Sequence, residues 1–389
     1  MTLSLGIGII GMGWMGETHS RAWRGMSERF HQAGIQADLI LCADEVEARA
    51  RLGQQRFGFQ EYSIDWRHVV DDDRVDIVVV TVPNNLHFAV IQAAAEAGKH
   101  VFCEKPVGRT PQETVAAANA ARDAGILSGV GYNYRCAPMV QYAQQLIRDG
   151  QLGEITHFRG RFLVDYGSDP KGVRSWRFQH EIAGWGVLGD IMSHVIDLAL
   201  HLVGPLRRVF ARQKTFITER PLAELGEGSH FSVGGGPKGP VTNEDYVSAL
   251  ADFECAAVGT FEVSRVAKGH DCELAVEVNG TKGAMRWNYE RLNELQLRLP
   301  NGKTNANGWT TIQAGPQHPD YARFYPGPGN SISYDDLKSI DAFRFAQSVV
   351  EGRQGQPGLD DAVAVAEVLD AMLRSTDSAT WATVLRLED

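Results

Sequence analysis

Three clusters of residues in this chain have the types and spacing of reactive or binding chemistry. The first is Gly11-Met12-Gly13-Trp14-Met15-Gly16, a GxGxxG pattern wedged between the apolar run Leu3–Ile10 and a helix-compatible stretch, Glu17–Met26. In that setting the first Gly permits a tight turn and the second lets the backbone approach a pyrophosphate. The third lets helix pack closely on strand, and the phosphates sit at the helix N-terminus. A Gly-rich turn in an ordinary βα unit is the alternative, and the strand-to-helix context argues against it. The second cluster is Glu104-Lys105-Pro106, just past the strand-like segment His100–Cys103. Carboxyl ends of parallel strands line the ligand crevice in such folds, so Lys105 is expected to point toward the reactive end of a bound dinucleotide, held extended by Pro106. A solvated Lys opening a loop is the plainer alternative. The third cluster lies on a helix entered through Gly184-Trp185-Gly186-Val187-Leu188-Gly189. Asp190, His194, Asp197 and His201 recur there at spacings of four, three and four, which puts them on one face. The stripe Ile191, Val195, Leu198 and Leu202 beside them is expected to face a core. A solvated helix also shows a polar stripe, but more often of Lys, Glu and Gln. A metal site is not expected, because no second His, Cys, Asp or Glu cluster has ligand spacing.

A carboxylate at the end of the next strand completes the nucleotide fingerprint. Ala37–Cys42 reads as that strand, and Ala43-Asp44-Glu45 follows it. An Asp44 carboxylate there accepts hydrogen bonds from ribose hydroxyls and repels a 2′-phosphate, by about 4 kcal/mol for unit charges ~4 Å apart at a surface-like dielectric. Glu45 adds a second negative charge, so the expected cofactor is NAD and not NADP.

These residues need a scaffold, and 389 residues suffice for two domains with their own cores. A net charge of −10 argues against a nucleic-acid partner. Hydrophobic content of 43% with no long uncharged stretch argues against a membrane protein. The N-terminal apolar run has no Lys or Arg before Arg21 and leads into the Gly loop, so it is not expected to be a cleaved signal. Five scattered cysteines without CxxC spacing suit reduced thiols in a cytoplasmic enzyme.

To about residue 134 the chain alternates strand and helix. Val75–Val82 is a near-continuous β-branched run suited to a parallel strand buried on both faces, and Pro83-Asn84-Asn85 turns it into a helix, His87–Ala97. His100–Cys103 and Leu127–Asn133 read as further strands, Pro111–Ala124 as a helix. The expected domain over 1–134 is therefore a doubly wound parallel sheet of Rossmann type. Residues 135–389 read as a second, α+β domain with a large, mainly antiparallel open sheet. Its expected strands are Ile155–Val164, Arg207–Phe216, Asp245–Phe253, Ala256–Ser264, Cys272–Gly280 and Gly283–Asn288. The helix Gly189–Val203 interrupts them, and Ser339–Glu351 and Asp360–Arg374 follow. Residues 221–242 and 300–332, rich in Gly, Pro and Asn, read as loops, the second a candidate for closing over a site. One apolar face of so large a sheet must be covered, which suggests a homo-oligomer, a dimer or tetramer.

The chain resembles the Gfo/Idh/MocA oxidoreductases along nearly its whole length. The resemblance rests on Gly11–Gly16, Asp44, Pro83-Asn84-Asn85-Leu86-His87, Glu104-Lys105-Pro106, Gly131-Tyr132-Asn133-Tyr134-Arg135 and Ser175-Trp176-Arg177. It continues through Gly189-Asp190, His194 and Asp197, then Asn243-Glu244-Asp245-Tyr246 and Asn279-Gly280-Thr281-Lys282-Gly283. It implies a catalytic group of Lys105, Asp190 and His194. It also implies NAD contacts from Gly11, Gly13, Trp14, Met15, Gly16, Asp44, Val82, Pro83, Asn84, Asn85, His87, Glu104, Lys105, Asn133, Trp176 and Arg177. Lys105, Tyr134, Arg135, Tyr166, Trp176, Trp185, Asp190, His194 and His318 are the residues expected to meet substrate. Trp185 departs from the family, where many members carry a third consecutive Gly. The implied activity is NAD-dependent oxidation of a secondary hydroxyl on a sugar, anhydrosugar or cyclitol, with a non-catalytic NAD-sensing regulator as the alternative. The chemistry agrees: His194, of the side-chain type that ordinarily titrates near neutrality, suits removal of the hydroxyl proton, and the Lys105 ammonium suits developing alkoxide charge.

Overall fold

A computed structural model describes residues 2–222, 232–300 and 308–387, and its chain forms two compact units. The first contains Met1–Cys136 together with Ser333–Val363, and the second Ala137–Ile332 with Ala364–Arg386. The expected break after residue 134 lies close to the first division, but the segment expected to continue the second domain, Ser333–Val363, folds with the first.

The first unit is built on six parallel strands: β1 Leu3–Ile10, β2 Ile35–Ala43, β3 Glu61–Ser63, β4 Ile77–Val80, β5 His100–Cys103 and β6 Ser128–Val130. Their order is β3-β2-β1-β4-β5-β6, which reverses direction between β1 and β4 and opens a ligand crevice beyond their carboxyl ends. Ile7, Ile9 and Val78–Val80 are fully buried, as a β-branched strand covered on both faces requires. The helix Trp14–Arg29 follows the Gly loop. Against it lies Tyr334–Glu351, joined by the stacked rings of Phe30 and Phe343 (4.0 Å) and by Arg21 on Asp335 (2.6 Å). That helix begins five residues before its expected start, because Ser333 and Asp336 form a reciprocal capping box.

The second unit carries nine strands: β7 Ile155–Leu163, β8 Leu206–Lys214, β11 Tyr246–Phe253, β12 Val258–Ser264, β13 Glu273–Gly280, β14 Ala284–Asn288, β15 Glu294–Arg298, β16 Thr310–Gln313 and β17 Ala382–Thr383. A separate two-stranded ribbon, β9 Glu219–Pro221 with β10 Lys238–Pro240, supplies the missing numbers. The sheet order is β16-β15-β14-β13-β7-β12-β11-β8-β17, and the β7–β12 pair is parallel while its other pairs are antiparallel. Two stretches expected as loops thus contain strands, β10 within 221–242 and β16 within 300–332; residues 223–231 and 301–307 lie outside the described residues. Within the second stretch Tyr321 and Phe324 are buried, and the Tyr321 hydroxyl donates to the Asn330 carbonyl (2.7 Å).

Two segments pack against this sheet, the helix Pro138–Arg148, which sequence reading omitted, and the largely helical span His180–Leu202, which bends at residues 184–186. The latter has the length and composition to cross a membrane, yet 89% of its apolar window is buried inside the protein, as in a core helix. The helices cover the sheet's apolar face. On the outer face Arg159, Arg161, Arg212, Glu262 and Arg286 stand exposed.

Beside the helical stretch lies a buried ion pair, Arg265 Nε to Asp245 Oδ1 at 2.7 Å. The other Asp245 oxygen accepts from the Phe216 and Ile217 N–H groups, and Arg265 also donates to Asn243 Oδ1. Arg265→Met leaves that carboxylate buried without its cation. Urea unfolding should show a loss of about 3–5 kcal/mol, whereas Arg291→Met at an exposed pair should cost less than about 1 kcal/mol.

Candidate active site

In the first unit the Gly loop has the local geometry that its sequence requires. Gly11 is left-handed (φ 95°), and a Cβ there would meet the Thr81 carbonyl at 2.8 Å. A Cβ on Gly16 would lie 1.9 Å from the Gly11 carbonyl oxygen, so only Gly lets the helix approach β1 this closely. Gly13 faces open space, with nothing within 4 Å of an added Cβ, at the N-cap of Trp14–Arg29. An open cradle over a helix N-terminus fits a pyrophosphate.

Asp44 lies at the end of β2, where its Oδ2 accepts from the Met12 N–H (2.8 Å) and its Oδ1 from the Val46 N–H (2.9 Å). The carboxylate therefore braces the Gly loop, and each oxygen keeps a lone pair for a further donor. Glu45 is exposed beside it. Trp14 is 56% exposed and stacks on Tyr334, ring centroids 6.0 Å apart. The half-exposed Val82 and Pro83, with buried Asn84 and exposed Asn85, turn β4 into the helix Asn84–Glu96. Met15 is half-buried in the loop. Together these residues fit a bound dinucleotide.

Three residues expected to meet ligand have other partners. Glu104 is buried, and its Oε1 accepts from His19 Nε2 (2.8 Å) and Lys338 Nζ (2.5 Å). Burial raises its pKa, but the Lys338 charge and the two hydrogen bonds outweigh that and hold it well below the usual carboxylate range. His87 is buried with one ring nitrogen 2.9 Å from the Val82 carbonyl oxygen and the other 3.0 Å from that of Pro106. It ties the turn after β4 to the loop after β5, and burial lowers its pKa against the pull of those carbonyls. Arg135, expected at substrate, is buried and donates to Asp361 (3.0 Å). Asn133 and Tyr134 are also buried, and the Asn133 amide nitrogen has no hydrogen-bond partner, an orphan donor of the kind a ligand satisfies. Lys105 leaves β5 half-buried.

In the second unit Asp190 lies in a π-helical turn, Leu188–Met192, that leads directly into the α-helix Ser193–Leu202. Such turns widen the helix and re-aim side chains. The Tyr166 hydroxyl donates to Asp190 Oδ2 at 3.1 Å. Burial and the Asp190 charge push the phenol pKa up, so it stays a donor. His194 is buried beside Phe162 (ring centroids 6.1 Å), and Asp197 is buried too, which rules out a solvated face. His201, one turn on, is bound through Nδ1 by Gln144 (3.1 Å).

Glu244 fixes the start of this helical stretch: its Oε1 accepts from the Leu188 N–H (2.8 Å), and burial pushes its pKa up against that bond. Trp185 is buried between Gly184 and Gly186, and a Cβ on Gly186 would meet the Glu244 carbonyl oxygen at 2.1 Å. The Arg177 guanidinium covers the Trp176 ring (4.4 Å), and the Arg177 carbonyl accepts from Asn243 and Arg265. Phe178, next in sequence, is sandwiched between the guanidinium groups of Arg220 (4.1 Å) and Arg265 (4.3 Å). His318 is buried against Tyr142 (4.9 Å), with Nδ1 accepting from the Gly315 N–H, and burial lowers its pKa. Lys338 and Asp361 were missed by sequence reading, since each is a charged residue on a helix and its buried partner lies more than two hundred residues away.

Comparison with known proteins agrees with this arrangement. Residues 5–132 match the oxidoreductase family with an NAD-binding Rossmann fold, and residues 140–286 match the GFO/IDH/MocA C-terminal domain. The chain is 39% identical over 383 residues to a levoglucosan dehydrogenase of Pseudarthrobacter phenanthrenivorans, covering 98% of each. A solved levoglucosan dehydrogenase in complex with NADH and levoglucosan superposes with a TM-score of 0.93 at 38% identity, over 98% of this chain and all of that one. A scyllo-inositol 2-dehydrogenase (NAD+) of Bacillus subtilis is 26% identical over 64% of this chain and 66% of its own length. By sequence, by fold and by the Gly loop that both require, the chain belongs to the GFO/IDH/MocA family of NAD-binding oxidoreductases.

Proposed function

We propose that this protein oxidises a secondary hydroxyl of levoglucosan, or of a closely similar anhydrosugar, to a ketone with NAD as cofactor. The observation that carries the reading is the near full-length likeness to levoglucosan dehydrogenase, 39% against 26% for the inositol enzyme over a shorter span. NAD, when bound, supplies the acceptor for the substrate's hydride. The protein's part is to handle charge and protons at the hydroxyl. His194 takes the hydroxyl proton as general base. Lys105 stabilises the alkoxide character that develops as that proton leaves. Asp190, one turn before His194 and held by the Tyr166 hydroxyl, orients the imidazole. The aromatic rings of Trp176, Trp185 and Tyr134 suit the C–H face of a compact sugar ring.

Asp44 and Glu45 favour NAD over NADP, for the electrostatic reason given by their position at the end of β2. The five free cysteines suit the cytoplasm. Self-association would use the outer face of the nine-stranded sheet, where a concavity of about 830 Å3 is lined by Arg161, Tyr246, Leu250, Glu262 and Arg286 among others. Both signs of charge beside exposed Leu250 suit a self-complementary contact.

Following NADH absorbance with purified protein should give more turnover on levoglucosan than on myo-inositol or D-glucose, and Trp185→Gly should raise KM for the sugar more than for NAD. A far better rate with inositol would replace the anhydrosugar assignment. Catalytic efficiency with NAD should exceed that with NADP at least tenfold, and Asp44→Ser with Glu45→Arg should narrow or reverse the ratio; parity in the unaltered protein counts against the cofactor reading. His194→Ala or Lys105→Met should lower kcat by about 10²-fold or more, the scale of lost general-base assistance. NAD affinity of His194→Ala, followed by fluorescence, should stay within a few-fold. Near-normal turnover in His194→Ala would assign the proton to another base.

A further inference from the structure

Glu104 and Lys105 leave β5 side by side, and the Glu104 carboxylate is fixed from every direction that the first unit offers. Its Oε1 receives Lys338 Nζ and His19 Nε2, and its Oε2 accepts from the backbone N–H of Lys105 at 3.3 Å. Gly131 closes the remaining side, for a Cβ there would lie 2.7 Å from Oε1. Lys338 and His19 are, like Glu104, buried. His19 belongs to the helix after the Gly loop, and Lys338 to the helix Tyr334–Glu351 from the far end of the chain. A single carboxylate therefore registers three elements on one another, and the backbone of Lys105 is one of them.

We propose that Lys338 is a positioning residue for Lys105, acting through Glu104. This rests on the reading of Lys105 as a catalytic group. Lys338 touches neither substrate nor cofactor. Its ammonium neutralises and orients a carboxylate in a dry site, and that carboxylate holds the Lys105 main chain where the side chain works. A buried carboxylate deprived of its cation protonates or turns away, and the bond to Lys105 goes with it. Replacing both charged partners together is a different change, since no lone buried charge remains and stability is largely kept.

That difference supplies the test. Lys338→Met and the pair Glu104→Gln/Lys338→Met are each made with Lys105 intact and with Lys105→Met. Oxidation of levoglucosan, or of whichever polyol turns over best, is measured per NADH-binding site, beside urea unfolding. Lys338→Met should lower kcat at least tenfold with KM for the sugar within threefold. Glu104→Gln/Lys338→Met should regain stability without regaining kcat, and it carries the test should Lys338→Met fail to fold. In the Lys105→Met background either change should lower kcat by less than twofold more, since both act on one group. Return of kcat together with stability, or losses that multiply in the Lys105→Met background, overturns the positioning role alone. Unimpaired turnover in Lys105→Met overturns the catalytic reading of Lys105 and the positioning role with it.

Discussion

A charge taken out of water must meet another charge, and each unit of this protein is organised around that constraint. Glu104 answers to Lys338, Arg135 to Asp361, and Asp245 to Arg265. In a low-dielectric interior these pairs add little net stability compared with apolar packing, because desolvation offsets much of the attraction. What they add is register. An apolar contact survives a small slip, whereas a buried carboxylate displaced from its cation is left with a penalty of several kcal/mol. Asp245 and Glu244 are consecutive residues, and they fix respectively Arg265 and the first turn of the helix that bears Asp190 and His194.

The candidate catalytic groups are in this way set in place by neighbours that do no chemistry. Glu104 braces the residue after it, Asp44 braces the Gly loop, and Tyr166 braces Asp190. Groups oriented before substrate arrives need little reorganisation as charge develops, which is where electrostatic catalysis gains most. Several residues of the recognisable motifs thus also act on their own chain, Glu104, His87 and Arg135 among them.

Local sequence made much of the fold legible. His100–Cys103 is a strand over the span expected, and the core strands of both sheets lie within a residue or three of their expected bounds, because β-branched runs and flanking turns set them locally. The Gly loop, Asp44 and the Asp190–His194 helix were legible for the same reason, in that each depends on residues close in sequence. What was not legible depends on distant partners. The helix Pro138–Arg148 was omitted, and the edge strand Thr310–Gln313 looked like loop. No local pattern marks Lys338 as the partner of Glu104, or Asp361 as that of Arg135. Sequence reading recognised the motifs of Glu104, His87 and Arg135 and could not see the intramolecular partners that they also have.

The return of Ser333–Val363 to the first unit has a consequence for how the protein is made. A chain grows from its N-terminus, and domains generally fold as they emerge. Here the six-stranded sheet is complete by Val130, but Lys338, Asp335, Phe343 and Asp361 come only after the whole of Ala137–Ile332. Until then Glu104 lacks Lys338 and Arg135 lacks Asp361, and the face of Trp14–Arg29 that meets the late helix lacks that helix. The nucleotide-binding half, first to be synthesised, is therefore the last to have its buried charges paired.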